Sequence, residues 1–308
     1  MAEINAAQLL ELVNSRRVDG DSGGDARVRA ITARIVGDLF RTIDEFDVQP
    51  DEFWAAVKWL TRLGQADMVG LITAGLGFDR LLDIRLDEAD LAAGRAAGTP
   101  RAIEGPLYVA GAPLSRHEVR LDDGNEARGA PFVMEGQVIG TDGQPVPHAV
   151  VDIWHCNESG RYSHFDPSQP AYNLRRRIET DELGRYRFRS FLPPGYAIPP
   201  DSPVSELFAL LGRHGNRPAH IHFLVSGSGK RALTTQVNIP GDTYLDDDFA
   251  FATRDGLVVA LEPVQDSAGY ESLGLHQPFT RIRFDFRLQD AGSEREAIPA
   301  SRYQTVMA

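Results

Sequence analysis

Two histidines one residue apart, His220 and His222 in the run Arg217-Pro218-Ala219-His220-Ile221-His222, are the first residues whose types and spacing could do chemistry. Residues two apart on a strand share a face, so both imidazoles can reach one point while Ala219, Ile221 and Phe223 face the other way. The chemistry this suggests is metal binding. By itself a His-x-His pair is more often an ordinary polar pair than a ligand pair, so further donors must be found. The chain has a single cysteine, Cys156, which excludes an intrachain disulfide and any multi-cysteine cluster, leaving His, carboxylate or Tyr as ligands. Tyr162 in ESGRYSHFD and Tyr196 in LPPGYAIPP lie in loops framed by glycine or proline, where a rigid side chain can be aimed at a site. A buried tyrosine is otherwise usually a core residue with one hydrogen bond.

Two other readings of this stretch fail. A cupin also uses His-x-His but needs a glutamate a few residues on, and here the chain continues FLVSGSGK. The same run differs from a phosphate loop, with Leu224 in place of its first glycine and Arg231 in place of its Ser/Thr.

The elements that must position these residues fall into two halves. Up to about residue 95 the apolar residues keep helical time, as in Val28, Ile31, Ile35, Leu39 and Ile43. Pro50-Asp51-Glu52 opens a second helix over FWAAVKWL, and a third runs through FDRLLDIRLDEADLAAG to near Gly94. From Gly105 the chain reads as short β-runs between turns: FVMEGQVIG, the turn TDGQ, AVVDIWHCN, GRYRFRSF, PAHIHFLVSG, LTTQVNI and RIRFDFRLQ. The last alternates Ile282, Phe284, Phe286 and Leu288 with polar residues. VSELFALLGR predicts one helix inserted between strands. The expected fold class is α+β: an N-terminal α-helical region over residues 1–100, an antiparallel β-sandwich carrying the site over 101–292, and a polar, loosely held tail over 293–308.

Composition narrows the function classes. The 308 residues are 42% hydrophobic with a formal charge of −12, enough apolar material for a large core and no attraction for a phosphate backbone, so nucleic acid is not an expected partner. There is no apolar run of about 18 residues and no basic stretch leading into an apolar one, so we expect no membrane span and a cytoplasmic location.

The strings GPLYVAGAP, NLRRRIETD, GRHGNRPAHIHF, LTTQVNIPGD and DDFAFATRDGLV, in this order, resemble the intradiol ring-cleaving dioxygenases, in particular those of catechol 1,2-dioxygenase type, over roughly residues 71 to 258. The resemblance implies a non-haem Fe(III) held by Tyr162, Tyr196, His220 and His222, since phenolate is a hard donor that favours ferric iron. It implies that catechol binds this iron as a dianion while Tyr196 leaves the metal and takes a proton, that O2 attacks the ring, and that cis,cis-muconate is formed. Arg217 then lies over the substrate ring, once Pro218 interrupts the strand, and stabilises developing negative charge. Gln236 hydrogen-bonds beside the iron. His117, His148, His155, His164, His214 and His276 match no ligand position.

By the same resemblance the substrate pocket is lined by Leu71, Ala74, Ile103, Pro106, Leu107, Ile198, Phe249 and Ala250, mostly apolar as a flat aromatic ring requires. The chain departs from its relatives at Ala74, where proline is frequent, at Ile198, where cysteine is common, and at Asp246, where YLWDD is usual. GYAIPPDSP and YLDDD lean toward hydroxyquinol-cleaving enzymes, so a hydroxyquinol or substituted-catechol 1,2-dioxygenase is the alternative within the family. A non-enzymatic binding module is the alternative outside it, because EGQVIGTDGQPVPHAVVDIW resembles transthyretin-like sandwich domains. The helices carry Phe53, Trp54, Val57 and Leu60 beyond what a monomer surface needs, and the resemblance implies a homodimer with a phospholipid held there.

Overall fold

The structure, a computed structural model, describes residues 4–15, 24–121, 129–266, 268, 271, 275, 277–293 and 296. Most of the expected C-terminal tail, and His276, lie outside them. The chain forms two compact units, Met1–Ala66 and Asp67–Ala308.

The first unit is helical: α1 (Ala6–Ser15), α2 (Ala26–Glu45) and α3 (Pro50–Gln65). Asp25 caps α2, its carboxylate accepting from the backbone N–H groups of Arg27 and Val28. Glu52 reaches back to the N–H of Gln49 at the start of α3, where Pro50 occupies the first turn and Asp51 and Glu52 complement the helix dipole. Val28, Ile31, Ile35, Leu39 and Ile43 are all exposed, and so are Phe53, Trp54 and Leu60, with Val57 half-buried.

The second unit begins with α4 (Val69–Gly75) and α5 (Phe78–Ala92), the latter ending two residues before Gly94 as the sequence predicts. A sandwich follows. Its first sheet runs in the order β1 (Leu114–Arg116), β5 (Arg175–Glu179), β4 (Val150–Trp154), β9 (His220–Ser226), β10 (Leu233–Asn238). Its second runs β11 (Glu262–Val264), β12 (Phe279–Arg283), β3 (Pro131–Gly140), β6 (Arg185–Phe191), β2 (Glu118–Arg120), with β13 (Phe286–Leu288) also on β3. A two-residue pair, β7 (Tyr196–Ala197) with β8 (Asn216–Arg217), stands apart, and α6 (Pro203–Leu210) is the inserted helix.

Alternation assigns the faces. Val151 and Ile153 of β4 and Ile221, Phe223 and Val225 of β9 point into one core with Phe132, Met134, Phe188 and Phe286 of the facing sheet. The ring of Phe223 lies 4.9 Å from that of Phe286 across this core. The other residues of the same strands, Asp152, Trp154, His220 and His222, are buried on the outer face under loops.

The central pairings are antiparallel, but β1 on β5, β2 on β6, and β12 and β13 on β3 are parallel, so the sheets are mixed. One reason is local. His117 adopts a positive φ of 36° and turns the chain between the sheets, so β1 joins one and β2 the other. The expected single strand RIRFDFRLQ is broken at Phe284-Asp285, where the Phe284 carbonyl closes on Gly136 so tightly that a Cβ there would lie 1.8 Å from the oxygen.

Candidate active site

The two histidines are both buried, and their Nε2 atoms stand 3.0 Å apart. His220 donates from Nδ1 to the Pro218 carbonyl at 2.6 Å, which fixes its tautomer and leaves Nε2 as an acceptor. His222 is held differently. Its ring lies flat on the indole of Trp154, directly across the β4–β9 ladder, with centroids 4.9 Å apart and planes within 4°. Its Nδ1 is buried and has no acceptor among the described residues, so stacking orients this imidazole.

Two phenols complete the cluster. Tyr196 enters on β7, pinned to β8 opposite Arg217, and its hydroxyl is 3.5 Å from His220 Nε2 and 3.5 Å from the Tyr162 hydroxyl. Gly160, at φ 74°, lets the two loops meet, since a Cβ there would come within 2.7 Å of Tyr196 Cβ.

This arrangement fits a metal cation. Burial, reinforced by Arg217, pushes the His220 pKa down to about 3, and burial and His220 push that of His222 well below its ordinary value. Both rings therefore stay neutral, with their Nε2 atoms side by side where a cation could take a lone pair from each. Donors 3.0 and 3.5 Å apart match neighbouring ligands in a shell about 2 Å in radius. Among the described residues no group of three or more His, Cys, Asp or Glu could hold a metal ion, so oxygen donors beyond carboxylates would have to complete a shell here, and the two phenols are the nearest.

Arg217 is brought to the same point, its Nη1 3.0 Å from His220 Nε2. Its fork grips Asp248, with Nε 3.2 Å from Oδ1 and Nη2 3.1 Å from Oδ2, and Nη2 also donates to Gln236 Oε1 at 2.8 Å. Burial alone would lower the Arg217 pKa, and Asp248 more than reverses this, so the guanidinium stays charged. Asp248 is missing from the sequence reading. It also accepts from the N–H groups of Ala250 and Ala252, and its only signal was a third acidic residue directly before the apolar Phe249-Ala250. Gln236 sits opposite His222 on β10 and donates to Asn238 Oδ1 at 3.1 Å.

Over this cluster opens a cavity of about 550 Å³. Tyr162, Tyr196, Arg217 and His222 form its polar end, while His220 and Gln236 do not line it. All eight expected pocket residues line it, Leu71 and Ala74 from α4, Ile103, Pro106 and Leu107 from the segment before the sandwich, and Ile198, Phe249 and Ala250 from the loops. Glu104, Arg161, Phe165 and Asp166 line it too and were not foreseen. The other described histidines are engaged elsewhere: His155 with Ser190 and the Cys156 carbonyl, His148 beside Glu179 and Glu182, His164 with Tyr172, and His214 beside Asp247. His117 marks the turn between the sheets.

Behind the site, Tyr108 packs 4.9 Å from Trp154 and donates its hydroxyl to Asp152 Oδ2 at 2.9 Å. Burial pushes the Asp152 pKa up to about 7, against the lowering effect of that hydrogen bond and of Arg177. The folded state therefore binds a proton between roughly pH 4, where an unfolded aspartate titrates, and pH 7. In that window the folded state holds more protons than the unfolded one, so stability falls as pH rises, by up to about 1.4 kcal/mol per unit from this group. Asp152→Asn should flatten the slope, as chemical denaturation at pH 5, 6 and 7 would record; an unchanged slope would remove the assignment.

Comparison with known proteins matches residues 25–94 to the family described as the catechol dioxygenase N terminus and residues 103–290 to the dioxygenase family. The chain is 55% identical over 257 residues to catechol 1,2-dioxygenase 2 of Acinetobacter lwoffii, covering 83% of this chain and 92% of that one. It is 31% identical over 286 residues to a hydroxyquinol 1,2-dioxygenase of Rhizobium, covering 90% and 93%. The crystal structure of catechol 1,2-dioxygenase from Pseudomonas arvilla C-1 superposes with a TM-score of 0.89 at 47% identity, covering 97% of this chain and 96% of that one. The chain belongs to the intradiol ring-cleavage dioxygenases, of the catechol 1,2-dioxygenase type.

Proposed function

We propose that the protein cleaves catechol with O2 between its two hydroxylated carbons to give cis,cis-muconate. The convergence of His220 Nε2, His222 Nε2 and two tyrosine hydroxyls, three of these four residues lining one end of a largely apolar cavity and His220 lying behind them, carries this reading. It disfavours a transthyretin-like binding module, which needs no such donors. Tyr162, Tyr196, His220 and His222 hold Fe(III), which when bound supplies Lewis acidity toward a diphenol and accepts electron density from it. Tyr196 is the half-buried phenol of the pair, and its Oη, ionised while it would serve as a ligand of Fe(III), is the atom that would receive a substrate proton on leaving the metal. Arg217, held by Asp248 and Gln236, presents a fixed positive charge where negative charge develops. Leu71, Ile103, Leu107, Ile198 and Phe249 clasp the ring and exclude water. Product analysis under oxygen tests the activity directly, and ferric phenolate should colour the protein red-brown; a colourless preparation with stoichiometric zinc would overturn the iron assignment.

Catechol is the expected ring: the side chains of Ile103 and Leu107 give a third hydroxyl no partner, so placing one against them costs about 1–3 kcal/mol of unpaired desolvation, and only a ring turned toward Glu104, Arg161 or Asp166 would escape that cost. Ala74 leaves room for a methyl group. Ala74→Leu should lower the 4-methylcatechol to catechol ratio of kcat/KM about tenfold or more. Hydroxyquinol exceeding catechol in the wild type, or an unmoved ratio in the variant, would defeat this account of the pocket.

The exposed apolar residues of α2 and α3 support a two-fold homodimer built on the helical unit, with a phospholipid as a further occupant of that apolar surface. Light scattering giving a monomer at micromolar concentration would remove the dimer. No helix among the described residues is long and apolar enough to cross a membrane.

A further inference from the structure

A second cavity, of about 490 Å³, opens on the same outer face of the first sheet, next to the substrate pocket. Leu224, two residues beyond His222, forms part of its floor with Leu233, Leu288 and, from α5, Leu86. Its walls are strongly basic. Arg95, Arg101, Arg231, Arg254 and Arg287 line it against only Asp87, Asp90 and Glu296.

These carboxylates are oversubscribed. Asp90 meets Arg231 at 2.8 Å, Arg95 at 3.5 Å and Arg101 in addition. Asp87 serves both Arg101 at 3.2 Å and Arg254 at 2.7 Å. Arg101 Nη1 is buried and still has no acceptor among the described residues. Arg80, also on α5, registers the same excess, its pKa lowered by burial and by the charge of Arg254. Guanidinium forks outnumbering carboxylates above a leucine floor suit an anion with two carboxylates and an apolar middle. The volume lies within the roughly 300–1,000 Å³ typical of small-molecule sites.

We propose that this cavity binds a small dicarboxylate of the kind that ring cleavage produces, and that its occupation slows turnover. The identity of the anion rests on the function proposed above. The coupling follows from a shared wall: Thr99, Pro100 and Arg101 line this cavity, while Ile103 to Leu107, directly after them, line the substrate pocket. The segment is tied to both strands behind it, Ala102 N–H donating to the Thr234 carbonyl at 3.0 Å and Thr99 N–H to the Arg287 carbonyl at 2.9 Å. A carboxylate drawing on Arg101 pulls on the wall that holds the ring.

The test is calorimetric titration of the full chain with cis,cis-muconate, with succinate and sulfate as comparison anions, alongside turnover at saturating catechol. Arg287 and Arg95 stand at the exposed edge of the cavity, so Arg287→Gln and Arg95→Gln should leave the thermal midpoint in place. Each should weaken muconate binding about tenfold, as losing a charged hydrogen-bonding partner does, while Arg287→Lys recovers part of it. Muconate should lower kcat in the wild type and less in the variants. Absence of binding, binding indifferent to both variants, or sulfate binding as tightly as muconate would overturn the site; binding with kcat unmoved would overturn the coupling. A protein that binds muconate in this variant-dependent way but does not cleave catechol would retain the site and sink the proposed function instead.

Discussion

His222→Ala should yield a folded protein that no longer holds iron and has lost ring cleavage. The side chain removed lies on the outer face of β9, while its neighbours Ile221 and Phe223, both fully buried, belong to the sandwich core and are untouched. What is lost is one of two neutral nitrogens and the partner on which Trp154 stacks. Disturbing residues that merely support metal ligands typically costs about 10–100-fold in affinity, so deleting a ligand should cost at least about 100-fold and leave activity near background. Circular dichroism should be unchanged while metal analysis falls. Full iron with normal turnover in this variant would sink the metal assignment, and a collapse of the fold would show that the outer face carries more of the stability than its position implies.

Arg217→Leu has the second largest expected effect, and it acts on stability and activity by separate routes. The guanidinium and the Asp248 carboxylate are almost wholly shielded from solvent, and removing one member of a buried pair typically costs about 3–5 kcal/mol because the other charge is stranded. Burial opposes ionisation of Asp248 and Arg217 outweighs it, so the folded pKa lies below the ordinary value. A depressed carboxylate contributes stability that is present above its unfolded pKa of about 3.9 and is lost as pH falls toward the folded value. The variant should therefore lose most at neutral pH, with its disadvantage narrowing in acid. Arg217→Leu combined with Asp248→Leu should recover much of the stability, since no charge is left unpaired, yet recover no activity, because the positive charge beside His220 is gone. Recovery of turnover in the double variant would show that Arg217 serves the fold alone. Arg217→Lys should also be poor, because an ammonium cannot make the two-pronged contact with Asp248 while reaching Gln236.

How much of this was legible beforehand depends on the distance over which each feature is encoded. Strand alternation is local, so the common face of His220 and His222, the opposite face of Ile221 and Phe223, and the strands β3, β4, β6, β9 and β10 could be read from runs of five to ten residues. The apolar spacing of α2, the Pro50-Asp51-Glu52 start of α3 and the end of α5 near Gly94 are equally local. Their glycine- or proline-framed loops marked Tyr162 and Tyr196 as candidates, but their role as donors came from resemblance, since loop composition does not distinguish a donor phenol from a packed one.

Tertiary structure alone decided the rest. Asp248 is 31 residues from Arg217, and only the fold makes them partners. Trp154 meets His222 through cross-strand register, which no single strand records. The parallel pairings, the turn at His117 and the break at Phe284 answer to strands brought together from elsewhere, as does the crowding of five arginines around Asp87, Asp90 and Glu296. A sequence specifies which face each side chain takes along its own element; which charges and rings confront one another across a gap is fixed only when packing selects one register and excludes the others.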